Sequence, residues 1–267
     1  MSDLSKRLPT TLAMVLFAYG AIRFLPLTIF ATVLFLLISL AVYEFVTLTQ
    51  PRVFSLPVIW ISGLLVGAHF TFPATVELSL SLGLALMLNG LYFLFAVNDR
   101  QRLTSFVRDI GIHFLAVIYL YLPLFFILEL KRCGANYLFF LIWVIAIGDS
   151  GAYFIGRAWG KHKIYPVASP RKSLEGVLAA VITATAAGWV SIWLFPVTAG
   201  RLLLVATAGL IGLFSQLSDP VESLFKRAAD RKDSGNLLPG HGGVLDRLDS
   251  YIFCAPLLYF IVRFFWR

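Results

Sequence analysis

The sequence predicts an all-α, polytopic membrane protein, and three observations carry that expectation. Of 267 residues, 59% are hydrophobic and only 13% are charged, about half the charged share of a soluble domain. Six apolar runs reach the roughly 20 residues that a helix needs to cross a bilayer. The Lys and Arg behind the net charge of +8 punctuate these runs instead of forming a soluble basic face. That pattern belongs to membrane orientation, not to nucleic-acid binding.

Apolar runs separated by polar breaks place nine candidate helices, near 9–22, 26–49, 53–70, 73–97, 107–130, 135–157, 174–196, 200–227 and 246–265. The first is short; Lys6 and Arg7 lead into it, and no small-residue cleavage site of a signal peptide follows. Charges mark most of the breaks: Arg23, Arg52, Arg100 with Arg102, Lys131 with Arg132, the stretch from Arg157 to Lys172, Arg201, and the stretch from Lys226 to Arg247. Cys133 lies in a short polar turn and Cys254 in an apolar run, so a disulfide scaffold is excluded. No internal repeat or low-complexity linker divides the chain. Residues 1–267 therefore read as a single membrane domain, with N-terminal helices in 1–145 and catalytic helices and cytoplasmic loops in 146–267.

With the N-terminus in the cytoplasm, sixteen of the 22 Lys and Arg fall on the inner side and six on the outer side, as the positive-inside bias requires. Ten of those sixteen lie in the last two inner loops, where they are also candidates for chemistry. In this topology Glu44, Asp149, Asp219, Glu222 and Asp249 fall toward the cytoplasmic ends of four spans. Carboxylates at membrane depth cost a few kcal/mol each unless they form a site or snorkel to the interface. As a set they point to a site. Asp109 reads as an inner-edge charge beside Arg108, Glu77 and Glu129 as interfacial, and His69 and His113 as isolated.

The densest signal runs from Gln216 to Asp249. On a helix Asp219, Glu222, Ser223 and Lys226 stand at i, i+3, i+4 and i+7, which is one face. Asp246 and Asp249 repeat the i, i+3 spacing at the start of the last span. Between them lie Gly235, Gly240, Gly242 and Gly243, which permit close backbone approach to a ligand. Carboxylates beside Lys and Arg are what phosphoryl or nucleotidyl transfer needs: hard oxygen ligands for Mg²⁺, and cations with backbone N–H groups for phosphate. Ser218-Asp219-Pro220-Val221-Glu222 also reads as a helix start, with Asp as N-cap and Pro at N1. A span broken at Asp219 would aim a half-helix N-terminus at phosphate. An ion or solute transporter would place carboxylates at depth too, but has no evident use for the basic, glycine-rich loop. A CTP-dependent lipid-alcohol kinase would need similar groups.

These residues resemble a known family. Ser223-Leu-Phe-Lys-Arg227, Lys232-Asp-Ser-Gly235 and Leu238-Pro-Gly-His-Gly-Gly-Val-Leu-Asp-Arg-Leu-Asp249 are similar to the signature of phosphatidate cytidylyltransferases (CDP-diacylglycerol synthases). Asp149-Ser-Gly-Ala-Tyr-Phe-Ile-Gly156, Ser169-Pro-Arg-Lys-Ser-Leu-Glu-Gly176 and Tyr43-Glu44-Phe45 agree with it. The resemblance implies an Mg²⁺-dependent enzyme that joins CTP and phosphatidate into CDP-diacylglycerol and pyrophosphate. It implies a homodimer in the bacterial inner membrane, with the site facing the cytoplasm. Asp219, Asp246 and Asp249 map onto metal-binding positions, with Asp149, Glu222 and Glu44 as weaker candidates. Lys226 and Arg227, near Ser223, are expected on the lipid phosphate, and Lys232 with Arg247 on the triphosphate. Asp233, His241, Gly242 and Gly243 are expected to border substrate. The loop from Gly156 to Ser173, with Ser169, Arg171 and Lys172, is expected to close over the nucleotide. The chain departs from the family where Gly-Asp-Leu is usual and Ser218-Asp219-Pro220 stands, which changes the backbone on both sides of the aspartate.

Overall fold

Helices account for every regular element among the described residues, and their boundaries follow the polar breaks. A computed structural model describes residues 3–235, 237 and 242–266. The helices are α1 (Asp3–Phe24), α2 (Leu27–Thr49), α3 (Leu56–Thr71), α4 (Leu78–Ala96), α5 (Arg100–Leu115), α6 (Leu122–Cys133), α7 (Ala135–Trp159), α8 (Leu174–Leu194), α9 (Arg201–Ala228) and α10 (Leu245–Phe265). A π-helical turn, Ala116–Tyr121, joins α5 to α6, so the expected span 107–130 is part of a longer rod. Among the described residues, Ser55 accepts from Val58 N, Asp99 from Arg102 N and Ser173 from Gly176 N as side-chain caps of α3, α5 and α8, each satisfying one orphan donor of a first turn.

Among the described residues, seven helical segments are long and apolar enough to cross a membrane, and Thr11–Phe24 and Leu56–Thr71 are apolar but shorter. On α4 only 22% of the apolar stretch is buried, leaving Leu80, Met87, Leu91 and Phe95 outward. So much exposed hydrocarbon on a long helix is what lipid, not water, would cover. The chain is an integral, multi-pass membrane protein.

The fold divides into two compact units, Met1–Leu128 with Asp233–Leu248, and Glu129–Lys232 with Asp249–Arg267. In the first, Gly63 and Gly67 of α3 let the rings of Tyr121 and Phe125 lie directly on the helix backbone. The Tyr121 hydroxyl, delivered by the π turn, meets Ser39 Oγ of α2 at 2.7 Å. A buried polar cluster ties α3, α4 and α5. Ser55 N donates to His113 Nε2 at 3.4 Å, so Nδ1 carries the proton and donates to Asn89 Oδ1 at 2.7 Å. Asn89 Nδ2 in turn donates to Ser62 Oγ at 2.8 Å. His113 is thus no isolated histidine. Asp109 does lie beside Arg108, but it is fully buried and accepts from Val53 N at 2.9 Å.

In the second unit, α7, α8 and α9 approach through small residues, as membrane helices do. A Cβ on Gly212 would lie 2.5 Å from Ala184 Cβ and 2.9 Å from the Ala180 carbonyl. Gly148 faces the same two alanines from α7. This tight three-helix contact is what brings Asp149 of α7 alongside the polar end of α9.

Candidate functional site

The polar end of α9 follows directly from its sequence spacing. The helix continues unbroken through Pro220 to Ala228, which corrects both the expected helix start at Asp219 and the expected half-helix terminus. Its own neighbours hold it: Pro220 is buried, and α8 packs along it. Because the helix is continuous, Asp219, Glu222, Ser223 and Lys226 do share one face. Ser223 Oγ donates to Asp219 Oδ1 at 3.4 Å. Glu222 is fully buried and forms an ion pair with Lys226, itself buried.

Asp249, on the first turns of α10, completes a cluster. Carboxylate oxygens of Asp219, Glu222 and Asp249 all lie within 4.8 Å of one another. Ser218 holds the two helices in that register, its hydroxyl donating to the Asp249 carbonyl. Three converging carboxylates, one of them wholly buried, are a costly arrangement without positive charge. Lys226 supplies part of it, and Lys172 supplies more: its Nζ lies 2.8 Å from Asp219 Oδ2. The oxygen set suits a hard divalent cation such as Mg²⁺. Asp149 is tied to the same region through Gln216, whose Nε2 donates to Asp149 Oδ1 at 2.7 Å.

Lys172 reaches Asp219 because the segment between α7 and α8 is folded back on itself. Lys163 and Ser173 form an antiparallel bridge, Leu174 N donates to His162 O at 2.9 Å, and Ile164 N to Lys172 O at 3.4 Å. Helix α7 runs to Trp159, so the expected loop starts four residues later than Gly156. Within Ser169–Gly176 the roles divide. Ser173 caps α8, and Glu175 accepts from His162 Nδ1 at 2.6 Å. Ser169 O accepts from Lys172 N at 3.0 Å, shaping the turn that exposes Arg171. Arg227 is exposed and donates through Nε to Ala168 O at 3.4 Å. Beside this segment, an apolar groove of about 370 Å³ is lined by Tyr165, Val167, Pro220, Leu224 and Phe253 among others.

In the other unit, Glu44 and Asp246 organise the glycine-rich loop. Glu44, 2% exposed on α2, accepts from Val244 N at 3.0 Å, Leu245 N at 2.8 Å and Ser234 Oγ at 3.2 Å. It therefore caps the start of α10 from about 200 residues away, placing negative charge at a helix N-terminus. Asp246 Oδ2 accepts from Ser234 N at 3.0 Å and Gly243 N at 2.8 Å, and it shares the single Ser234 hydroxyl proton with Glu44, lying 2.9 Å from Ser234 Oγ. Gly242 has φ +79, a conformation that L side chains resist. A Cβ on Gly235 would sit 2.7 Å from Glu44 Oε1, and one on Gly243 would strike Ser234 and Glu44. Lys232 in the second unit, and Asp233 and Arg247 in the first, are exposed. His241 lies outside the described residues. Glu44's capping role had no sign in the sequence beyond the Tyr43-Glu44-Phe45 motif, because its partners are distant in the chain.

A multi-pass helical membrane protein with gathered carboxylates, paired ammonium groups and a glycine-rich loop is the class these features define. A family model described as the cytidylyltransferase family matches residues 5–265. The phosphatidate cytidylyltransferase of Bacillus subtilis (strain 168) is 33% identical over 273 residues, covering 99% of this chain and 100% of that protein. The phosphatidate cytidylyltransferase of Staphylococcus saprophyticus is 38% identical over 150 residues, 56% of this chain and 58% of its own. That of Staphylococcus aureus (strain COL) is 36% identical over the same shares. The chain belongs to the cytidylyltransferase family.

Proposed function

We propose that this protein transfers the cytidylyl group of CTP to phosphatidate, forming CDP-diacylglycerol and pyrophosphate for phospholipid synthesis. The observation that carries the reading is the Asp219, Glu222 and Asp249 cluster, with oxygens within 4.8 Å of one another, flanked by Lys172 and Lys226 in a chain of this family. A phosphatidate oxygen attacks the α-phosphorus of CTP; the new P–O bond forms as the bond to the β-phosphate oxygen breaks, and pyrophosphate leaves. That oxygen is already anionic, so the protein's work is positioning and charge neutralisation.

Asp219, Glu222 and Asp249 would hold Mg²⁺, whose charge would offset that of the phosphates. Lys226, buried against Glu222, and Arg227 are assigned to the lipid phosphate. Arg171 and Lys172 are assigned to the nucleotide, as the order of their loop supports. Lys232 and Arg247 on the triphosphate, Asp233, His241, Gly242 and Gly243 beside substrate, and Asp246 as a further metal carboxylate keep the assignments of the family signature. The apolar groove on α9 would take acyl chain of the lipid.

The sixteen-to-six distribution of Lys and Arg supports nine spans with a cytoplasmic N-terminus. A cytoplasm-facing site in the bacterial inner membrane would meet CTP from one side and phosphatidate from the inner leaflet. A homodimer follows from the family resemblance. The test is incubation of purified protein with CTP, phosphatidate and Mg²⁺, with Asp219→Asn in parallel. Pyrophosphate and CDP-diacylglycerol from the wild type alone are expected; equal product from folded Asp219→Asn would remove Asp219 from the site.

A further inference from the structure

Pro220 interrupts the hydrogen-bond ladder of α9 without ending the helix. Proline has no N–H, so the carbonyl four residues earlier, that of Gln216, loses its helical donor. Lys172 takes that acceptor: its Nζ lies 3.3 Å from Gln216 O and 2.8 Å from Asp219 Oδ2. The side chain of the same glutamine holds Asp149. Lys172 stands 44 residues from Gln216 in the chain and carries a long, flexible stem, whose freedom two-point anchoring removes.

We propose that Pro220 is a positioning residue: it leaves the Gln216 carbonyl open so that the Lys172 ammonium is seated against Asp219. The inference rests on the reading of Asp219 and Lys172 as site residues. It gives the departure at Ser218-Asp219-Pro220 a purpose on both sides, since Ser218 ties α9 to α10 while Pro220 recruits the lysine. Any other residue at 220 returns an N–H that competes with Lys172 for the Gln216 carbonyl and weakens the second of its two described contacts.

Two measurements test it on the full-length protein. The first is acetylation by acetic anhydride, read by mass spectrometry as the rate at Lys172 relative to exposed Lys161. Pro220→Ala and Pro220→Leu should each raise that ratio about tenfold, as loss of one hydrogen bond to a charged donor implies. Agreement between the two assigns the effect to the restored N–H and not to lost ring volume. Both variants gain a helical hydrogen bond but change the volume at a buried position, so the thermal midpoint of each is measured alongside to establish that it is folded. An unchanged ratio, or a change in only one variant, overturns the proposal. The second is a double-mutant cycle on turnover with Lys172→Met. Pro220→Ala should lower kcat about tenfold with little change in KM for CTP, and should have no effect once Lys172 is methionine. Additive losses would make Pro220 merely structural and overturn it. The acetylation readout is independent of turnover, so a wild type without cytidylyltransferase activity would refute the proposed function while leaving this result standing.

Discussion

Replacing Glu44 with alanine should release the glycine-rich loop while leaving the helices of the other unit intact. The wild-type carboxylate accepts from Val244 N, Leu245 N and Ser234 Oγ at 2.8–3.2 Å, at a position 2% exposed. Ser234 Oγ keeps Asp246 Oδ2 at 2.9 Å, so two buried amides lose their acceptor, at about 1–3 kcal/mol each and about 2–6 kcal/mol together. Even the lower end shifts local opening about 30-fold. Hydrogen exchange followed by mass spectrometry in detergent reads this directly. Peptides covering residues 242–248 should lose at least about one and a half decades of protection, and peptides from α8 should not change. Glu44→Gln keeps one acceptor oxygen but turns the other position into a donor, so it should lose roughly one decade, about 1–3 kcal/mol. Exchange at Val244 and Leu245 that is unaltered in Glu44→Ala would refute the reasoning, because the loop would then be held by something other than this carboxylate.

Two further perturbations test how the helices are held. Gly212→Ala forces a methyl to 2.9 Å from the Ala180 carbonyl, which is backbone and cannot swing aside. It should cost about 1–3 kcal/mol, seen as a thermal midpoint several degrees lower. His113→Ala strips the buried Asn89 and the half-buried Ser55 amide of their partner. The expected loss is about 2–4 kcal/mol, read by the same thermal assay, with purified protein retaining its helix content.

Much of the site was legible because it is written in one helix. Asp219, Glu222, Ser223 and Lys226 share a face by the 3.6-residue period alone, and the apolar runs marked the helices around them. Pro220 misled the reading locally: Asp-Pro-x-Glu is good cap chemistry, but inside a packed apolar span the helix continues and the lost hydrogen bond is absorbed elsewhere. Local pattern had no access to that absorption, since Lys172 comes from another loop. The same reason hid Glu44, whose donors lie about 200 residues away, and His113, whose partners Asn89 and Ser55 are 24 and 58 residues distant. Asp249 was expected beside Asp219, and the Ser218 hydroxyl that fixes the pairing became visible only when both helices were in place.

The central claim is cytidylyl transfer, and the fate of label from CTP tests it most directly. Purified protein is incubated with phosphatidate, Mg²⁺ and CTP carrying ³²P at either the α or the γ position. Label in the lipid from α-labelled CTP alone, with γ-label recovered in pyrophosphate, is the predicted result. Label in the lipid from γ-labelled CTP, with CDP released, would mean phosphoryl transfer and would contradict the account.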